Sequence, residues 1–493
     1  MASGRAAGLR ALTLRGGAYL LVREAVGLAL RVGGILVLSR LIGPTGYGLY
    51  AVPLAVTTVL ATVGWMGADV FLIRQPDEPP RRAYDQAFSF LLVSGTLVAA
   101  LGLAATVLAG PGLLDPRYRE LLRVMLLTLP VNVTWIPAQA MLERRFDYRR
   151  LARIEVGSDA TFYGGALLLA WRGAGAWSPV AGYCCMQVWM LLAGCALARY
   201  RPRLAWSGAF VRELLGYGFS YSMSNWVARL RLLVAPLVVG HDLGPQAVGH
   251  VALAIRMVEN LGFVTRITSR VSVVALANVQ QDLARARRAL EEAMALQLLV
   301  LGALLGGFAM VANWLVPLLL GPAWSRSLAV YGFLAAGSLV YAVFSLHQSL
   351  LYVLRGTADV ALWAVLHLAL LAAAAVVLVP RLGLAGYGWA ELVSLASYAV
   401  LHAGVRRRVG VGYRGVLPWA VACGPLLLAL ATPLPWRLLL LAPAAAVALL
   451  PSARRQALAY AGYLRLAVRR GRATGSDDQS VYPDTDVQLE RSP

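Results

Sequence analysis

Apolar runs long enough to cross a bilayer recur along almost the whole chain, and this feature constrains the fold most. Spanning ~30 Å of hydrocarbon takes ~20 mainly apolar residues. Fourteen such segments are predicted, at about 17–40, 47–72, 84–110, 119–142, 151–172, 177–199, 213–240, 247–272, 290–320, 327–354, 358–379, 384–405, 415–433 and 436–451. Hydrocarbon offers no water to backbone N–H and C=O groups, so segments of this kind are helices. The expected fold class is an all-α polytopic membrane protein with about 14 transmembrane helices. A mean hydropathy of +0.66 and 59% hydrophobic residues agree, because soluble domains are nearer half apolar.

All 45 basic residues are arginine, against 24 acidic residues, for a net charge of +21. Arginine-only usage reflects the base composition of a gene. No nucleic-acid-reading motif accompanies it, so a nucleic-acid partner is not expected. Arginines crowd alternate loops: Arg81 and Arg82, Arg144 to Arg153, Arg199 to Arg212, Arg285 to Arg288, and Arg406 to Arg414. The positive-inside rule places those loops and both termini in the cytoplasm, with the chain in the cytoplasmic (plasma or inner) membrane. Three stretches of these loops, Glu143 to Arg153, Tyr200 to Arg212 and Gln280 to Glu292, interleave arginine with apolar residues and suit an anionic membrane surface.

Charges inside the spans carry the functional reading. Each costs ~2.5–3.5 kcal/mol at a helix centre unless it is paired or faces water. The first span holds Arg23, Glu24 and Arg31; the seventh holds Asn225, Arg229 and Arg231; the eighth holds Arg256 and Glu259. Arg229 and Arg231 point about 200° apart, and Arg229 shares its face with Asn225, which favours Arg229 as the cavity residue. Arginine outnumbers glutamate in this set, so a positive cavity for an anionic ligand is expected. Phosphate is the natural match for the guanidinium fork. Three further carboxylates, Asp69, Asp159 and Glu391, are the candidates for coupling to Na⁺ or H⁺.

Internal repetition strengthens this reading. Gly43-Pro44-Thr45-Gly46-Tyr47-Gly48 returns 201 residues later as Gly244-Pro245-Gln246-Ala247-Val248-Gly249, each time after a charged span. Transporters are often built on such repeats. The expected organisation is an N-terminal lobe at 1–205, a C-terminal lobe at 206–410, two extra helices and a basic end at 411–470, and a disordered tail at 471–493. Prolines inside spans (Pro53, Pro130, Pro137, Pro236 and Pro317) invite kinks.

Enzymatic chemistry is not expected. Cys184, Cys185, Cys195 and Cys423 lie in apolar spans, and the five histidines are scattered. No cofactor or metal spacing emerges, and no loop on the non-cytoplasmic side is long enough for a catalytic head.

Four segments resemble the bacterial polysaccharide-transporter flippases of the multidrug/oligosaccharidyl-lipid/polysaccharide exporter superfamily. These are Ser39-Arg40-Leu41-Ile42-Gly43-Pro44 with Tyr47-Gly48-Leu49-Tyr50, Leu214 to Ser220, Leu320-Gly321-Pro322-Ala323-Trp324, and Leu382 to Gly388. The resemblance covers about 10–410. It implies two six-helix lobes around a cavity plus two C-terminal helices, with alternation between inward- and outward-facing states. It also implies a polyprenyl-pyrophosphate-linked oligosaccharide as substrate, with cavity arginines on the pyrophosphate. Arg31, Arg229 and Arg256 match by position. Membrane lipids, polysaccharide polymerase and glycosyltransferases of the same pathway are the implied partners. The alternatives are a lipid II-type flippase, an ion-coupled exporter of organic cations, and a membrane glycosyltransferase or polymerase acting on the same carrier.

Overall fold

The structure, a computed structural model, describes residues 2–75, 79–108, 115–263, 265, 282–451, 453–456 and 458. The side chains of 2–26, 28, 219–225, 228, 283 and 434 fall outside that description, as does the tail at 471–493. Among the described residues every regular element is helical. The order is α1 (Ala2–Trp65), α2 (Ala68–Arg74), α3 (Arg81–Leu108), α4 (Pro116–Leu126), α5 (Leu129–Thr134), α6 (Ile136–Arg144), α7 (Tyr148–Trp171), α8 (Trp177–Leu197) and α9 (Gly208–Val234). There follow α10 (Gly240–Leu261), α11 (Leu283–Leu320), α12 (Leu328–Val353), α13 (Thr357–Leu382), α14 (Leu384–Ser394), α15 (Tyr398–Arg408), α16 (Leu417–Cys423), α17 (Leu434–Arg437) and α18 (Ala442–Leu449).

Among the described residues, seven helical stretches are long and apolar enough to cross a membrane. The long helices outside that set include α7, α9 and α10, which carry Asp159, Arg231 and Arg256. The charges singled out above are among those that lower their hydropathy.

The first of the seven stretches, Ala29–Arg74, has 46 residues. At ~1.5 Å per residue it would be about 69 Å long, twice a bilayer's hydrocarbon. Gly43 breaks it, with φ 67° and ψ 176°, a conformation essentially reserved for glycine. Pro44 then opens the next helical segment, where a missing N–H costs little. In α10 Gly244 repeats the geometry, with φ 79° and ψ −178° before Pro245. The sequence repeat is thus a repeat of one backbone turn.

The two turns also meet. A Cβ added at Gly48 would collide with the carbonyl oxygen of Pro245, and one at Gly249 with the carbonyl oxygen of Pro44. The contact is reciprocal and glycine-to-glycine, the close approach that small residues allow between membrane helices.

Two large apolar clusters make up most of the core, and the second includes Tyr47 and Val248 of the crossing. One gathers Phe71, Leu72, Leu91, Ile136 and Leu142 with Leu214 of α9. The other gathers Val251, Leu305, Trp324, Tyr331, Leu346 and Tyr387. The α9 helix bridges them: Phe210 packs on Phe71 at 5.5 Å between centroids, and Val234 belongs to the second cluster.

Some boundaries differ from expectation, and proline and glycine explain them. The span expected at 47–72 ends early, where Met66 and Gly67 are left-handed (φ 49° and 70°) before α2 begins. That expected at 119–142 is three helices, with Pro130 and Pro137 in the first turns of α5 and α6. The last two expected spans, 415–433 and 436–451, are the shorter apolar stretches Leu417–Leu430 and Pro435–Leu449. Each alternates α-helix with tighter 3-10 turns at Pro425–Leu430 and Leu438–Leu441.

Candidate functional site

Charged side chains from distant spans collect in two clusters. In the first, Arg31 of α1 donates to Asp159 of α7 (Nη1 to Oδ2, 2.9 Å). Gly27 makes room for this, because a Cβ there would lie 3.1 Å from Arg31 Nη1. In α10, Arg256 donates to Glu259 one turn on (Nη1 to Oε2, 3.1 Å). Arg256 also lies within electrostatic reach of Tyr47, Tyr50 and Tyr163, and Tyr163 in turn of Arg31 and Asp159. Four sequence candidates from three helices therefore share one neighbourhood. Their side chains are 37% (Arg31), 20% (Asp159), 48% (Arg256) and 45% (Glu259) exposed, open enough for a ligand to reach.

The second cluster centres on Glu391 of α14, whose side chain is 5% exposed. Arg231 of α9 grips both its oxygens (Nη2 to Oε1, 3.0 Å, and to Oε2, 2.8 Å). Tyr387 donates its hydroxyl to Oε1 at 2.8 Å, and Tyr341, His367 and Tyr398 are electrostatic neighbours of Arg231. Sequence reasoning ranked Arg231 below Arg229 and missed this pair and Tyr387. Helical periodicity separates the two arginines but cannot say which side meets a carboxylate 160 residues away.

Arg229 shares a face with Trp226, whose indole donates to Thr62 O of α1 at 3.1 Å. Arg229 itself is exposed. Among the described residues it has no polar partner. Asp69 sits in the first turn of α2, where a carboxylate favours the helix N-terminus. The side chains of Arg23, Glu24 and Asn225 lie outside the described residues.

Within the two clusters the described charges are paired. Arg31, Arg256 and Arg231 each face a carboxylate, which offsets the desolvation of both groups. Asp159 and Glu391, expected as ion-coupling residues, hold arginines. An anionic ligand would have to share or displace these carboxylates, and a guanidinium's five donors allow sharing.

A seam runs past the first cluster along the two Gly-Pro turns. Arg40 Nη1 donates to Leu318 O and Leu319 O at the end of α11, both at 3.3 Å. The Trp324 indole donates to Ser39 O at 3.1 Å, and its ring meets Tyr47 edge-on at 5.8 Å. His250 packs on the same ring at 5.8 Å and bonds Ser327 Oγ through Nδ1 at 3.1 Å. Tyr47 touches both seam and cluster.

Comparison with known proteins gives consistent relatives. A succinoglycan biosynthesis transport protein, ExoT of Rhizobium meliloti (strain 1021), is 30% identical over 209 residues, 41% of either chain. The match thus spans about two fifths of that relative's length. The solved structure of the lipid II flippase MurJ in an inward closed conformation superposes with a TM-score of 0.70 at 12% identity, covering 91% of this chain and 99% of that one. An inward-facing multidrug resistance MATE family transporter of the MOP superfamily gives 0.61 at 15% identity, covering 79% and 98%. At these identities the likeness is one of fold. With its long apolar helices, the chain is a multi-pass helical membrane protein of this transporter fold. Residues 37–329 match the profile of the family described as polysaccharide biosynthesis protein, more than half of the chain, and the chain belongs to that family.

Proposed function

We propose that this protein flips a polyprenyl-pyrophosphate-linked oligosaccharide across the cytoplasmic membrane for cell-surface polysaccharide biosynthesis. The observation that carries the reading is the meeting of Arg31, Asp159, Arg256 and Glu259 across α1, α7 and α10. Paired arginines at membrane depth hold their charge without ligand and present spare N–H donors to a pyrophosphate. Tyr47, Tyr50 and Tyr163 beside them offer ring faces and hydroxyls to sugar. Arg229 adds a guanidinium with no internal carboxylate. The polyprenyl chain stays in lipid, so no covalent step is required.

In this reading the chain forms fourteen spans, as two six-helix lobes meeting at the Gly-Pro seam with two C-terminal helices appended. Both termini lie in the cytoplasm, following the arginine-rich loops. Family membership and the succinoglycan relative support a saccharide substrate; the MurJ-like fold supports the lipid carrier. A lipid II-type substrate is the second reading, favoured by the same arginines. The cation-exporter reading loses part of its opposition, because the clusters hold about as many carboxylates as arginines.

Flipping in proteoliposomes tests the proposal. A fluorescent polyprenyl-pyrophosphate oligosaccharide is loaded in both leaflets and followed by a membrane-impermeant quencher. Wild type should exchange it, and Arg31→Ala, Arg256→Ala and Arg229→Ala should each slow exchange by about tenfold or more, one charge-assisted hydrogen bond being worth ~1.5–3 kcal/mol. Exchange unaffected by all three would place the site elsewhere. No exchange with several glycans, alongside gradient-driven uptake of organic cations, would overturn the flippase reading.

A further inference from the structure

A second basic site lies away from these clusters, where α3 begins and α8 ends. Arg81, Arg199 and Arg201 line an open cleft of about 560 Å³ whose remaining wall is Cys195, Ala196 and Tyr200. Its frame is built rather than draped. Arg199 is left-handed, with φ 52°, and Tyr200 N bonds back to Cys195 O at 2.9 Å, closing the end of α8. The Tyr200 hydroxyl donates to Asp85 Oδ1 at 3.0 Å, and Arg203 N donates to the same oxygen at 3.2 Å. Ala205 N donates to Ser89 Oγ at 2.9 Å. Asp85 and Ser89, both buried in α3, thus pin the connector that carries Arg199 and Arg201 beside Arg81. Asp85 Oδ1 is committed to this frame, and among the described residues no carboxylate lines the cleft. Among the described residues none of the three guanidiniums has a hydrogen bond or an ion pair, and Arg81 has the Tyr200 hydroxyl as an electrostatic neighbour.

We propose that this cleft binds the headgroup of an anionic phospholipid at the membrane surface. Three guanidiniums on one concavity match a phosphodiester. The Cys195 and Ala196 wall is the last turn of an apolar span, so the cleft opens beside the acyl region. The pinned connector also exposes Leu204 (77%) and Trp206 (55%), side chains that belong at the level of lipid headgroups. A soluble anion would find the guanidiniums but has no use for the apolar wall. The site is independent of the transported substrate.

Native mass spectrometry of the purified full-length chain tests the assignment, with phosphatidylglycerol, phosphatidylcholine and inorganic phosphate as probes. Wild type should retain phosphatidylglycerol at least ~tenfold more tightly than phosphatidylcholine, given ~1 kcal/mol per arginine near an anionic surface. The combined variant Arg81→Gln/Arg199→Asn/Arg201→Gln should lose that preference; asparagine tolerates the left-handed position. Arg406→Gln/Arg414→Gln/Arg454→Gln, which removes equal charge from exposed positions outside the membrane-facing connectors, should keep it. Arg81→Gln alone, away from the left-handed turn, should lose part of it and guards against misfolding of the triple variant. Equal loss in the control would reduce the effect to diffuse charge and overturn the site. Displacement of phosphatidylglycerol by equimolar inorganic phosphate would assign the cleft to a soluble anion instead.

Discussion

At the residue scale, the Arg231–Glu391 pair differs in kind from the other two. Glu391 is enclosed and gripped at both oxygens, whereas the Arg31–Asp159 and Arg256–Glu259 pairs are partly open. Removing one member of an enclosed pair strands the other charge, at about 3–5 kcal/mol. Arg231→Met should therefore destabilise the protein strongly, and Arg231→Met/Glu391→Gln should recover much of the loss in a thermal-unfolding double-mutant cycle. A double variant no more stable than Arg231→Met would mean that Glu391 does not need the guanidinium. For the open pairs the energy at stake is small, ~0–1 kcal/mol, and the effect should fall on ligand binding. Asp159→Asn removes one internal competitor for Arg31. It should tighten the binding of a pyrophosphate headgroup severalfold by isothermal titration, whereas Arg31→Ala should weaken it.

At the scale of elements, the Gly-Pro turns divide what can be read from sequence from what cannot. The need for glycine at 43 and 244 is local, since one backbone conformation excludes side chains, so the turns and their repetition are visible in the chain. The need for glycine at 48 and 249 is reciprocal and arises only when the two turns cross. Most spans were legible for the same local reason, by apolar length. The proline-broken last two were less so, because hydropathy does not register 3-10 turns. Asp159 and Glu391 were legible as in-span carboxylates, but their arginines come from 128 and 160 residues away, beyond any spacing rule. The crossing itself is testable. Ser39 is fully buried beside it, so a Ser39→Cys reporter in a chain freed of its four native cysteines should react slowly with a water-soluble maleimide. Adding Gly48→Ala or Gly249→Ala should speed labelling by about tenfold or more, a close-packed contact being unable to absorb a methyl without ~1–3 kcal/mol of strain. Gly64→Ala, whose Cβ would make only ordinary contact at 3.4 Å, should leave labelling unchanged.

At the scale of the whole molecule, the alternating access that the flippase proposal requires would need the seam to hold and also to yield. Holding it are the Trp324 indole on Ser39 O, Arg40 on two carbonyls of α11, and the glycine crossing. Opposing it, Ser39 Oγ and His250 Nε2 are buried without a hydrogen-bond partner among the described residues. Each such group costs ~1–3 kcal/mol, recovered when water reaches it. If the chain rocks between two states as proposed, opposing contributions of this kind would balance the closed seam: a deeply favoured seam would never release, and an unfavoured one would leak. One hydrogen bond should then shift the population visibly. Trp324→Phe keeps the ring against Tyr47 but loses the bond to Ser39 O, worth ~0.5–1.5 kcal/mol. Spin labels at Leu41 and Leu243, exposed by 46% and 37% just before the two turns, report the distance across the seam. Wild type without ligand should show mainly the short distance, and Trp324→Phe should raise a longer-distance population by roughly three- to tenfold. If both proteins give the same distribution while the labels remain mobile, the Gly-Pro crossing is a static joint. The two halves would then have to pivot around it, with access opening at the opposite ends of α1 and α9.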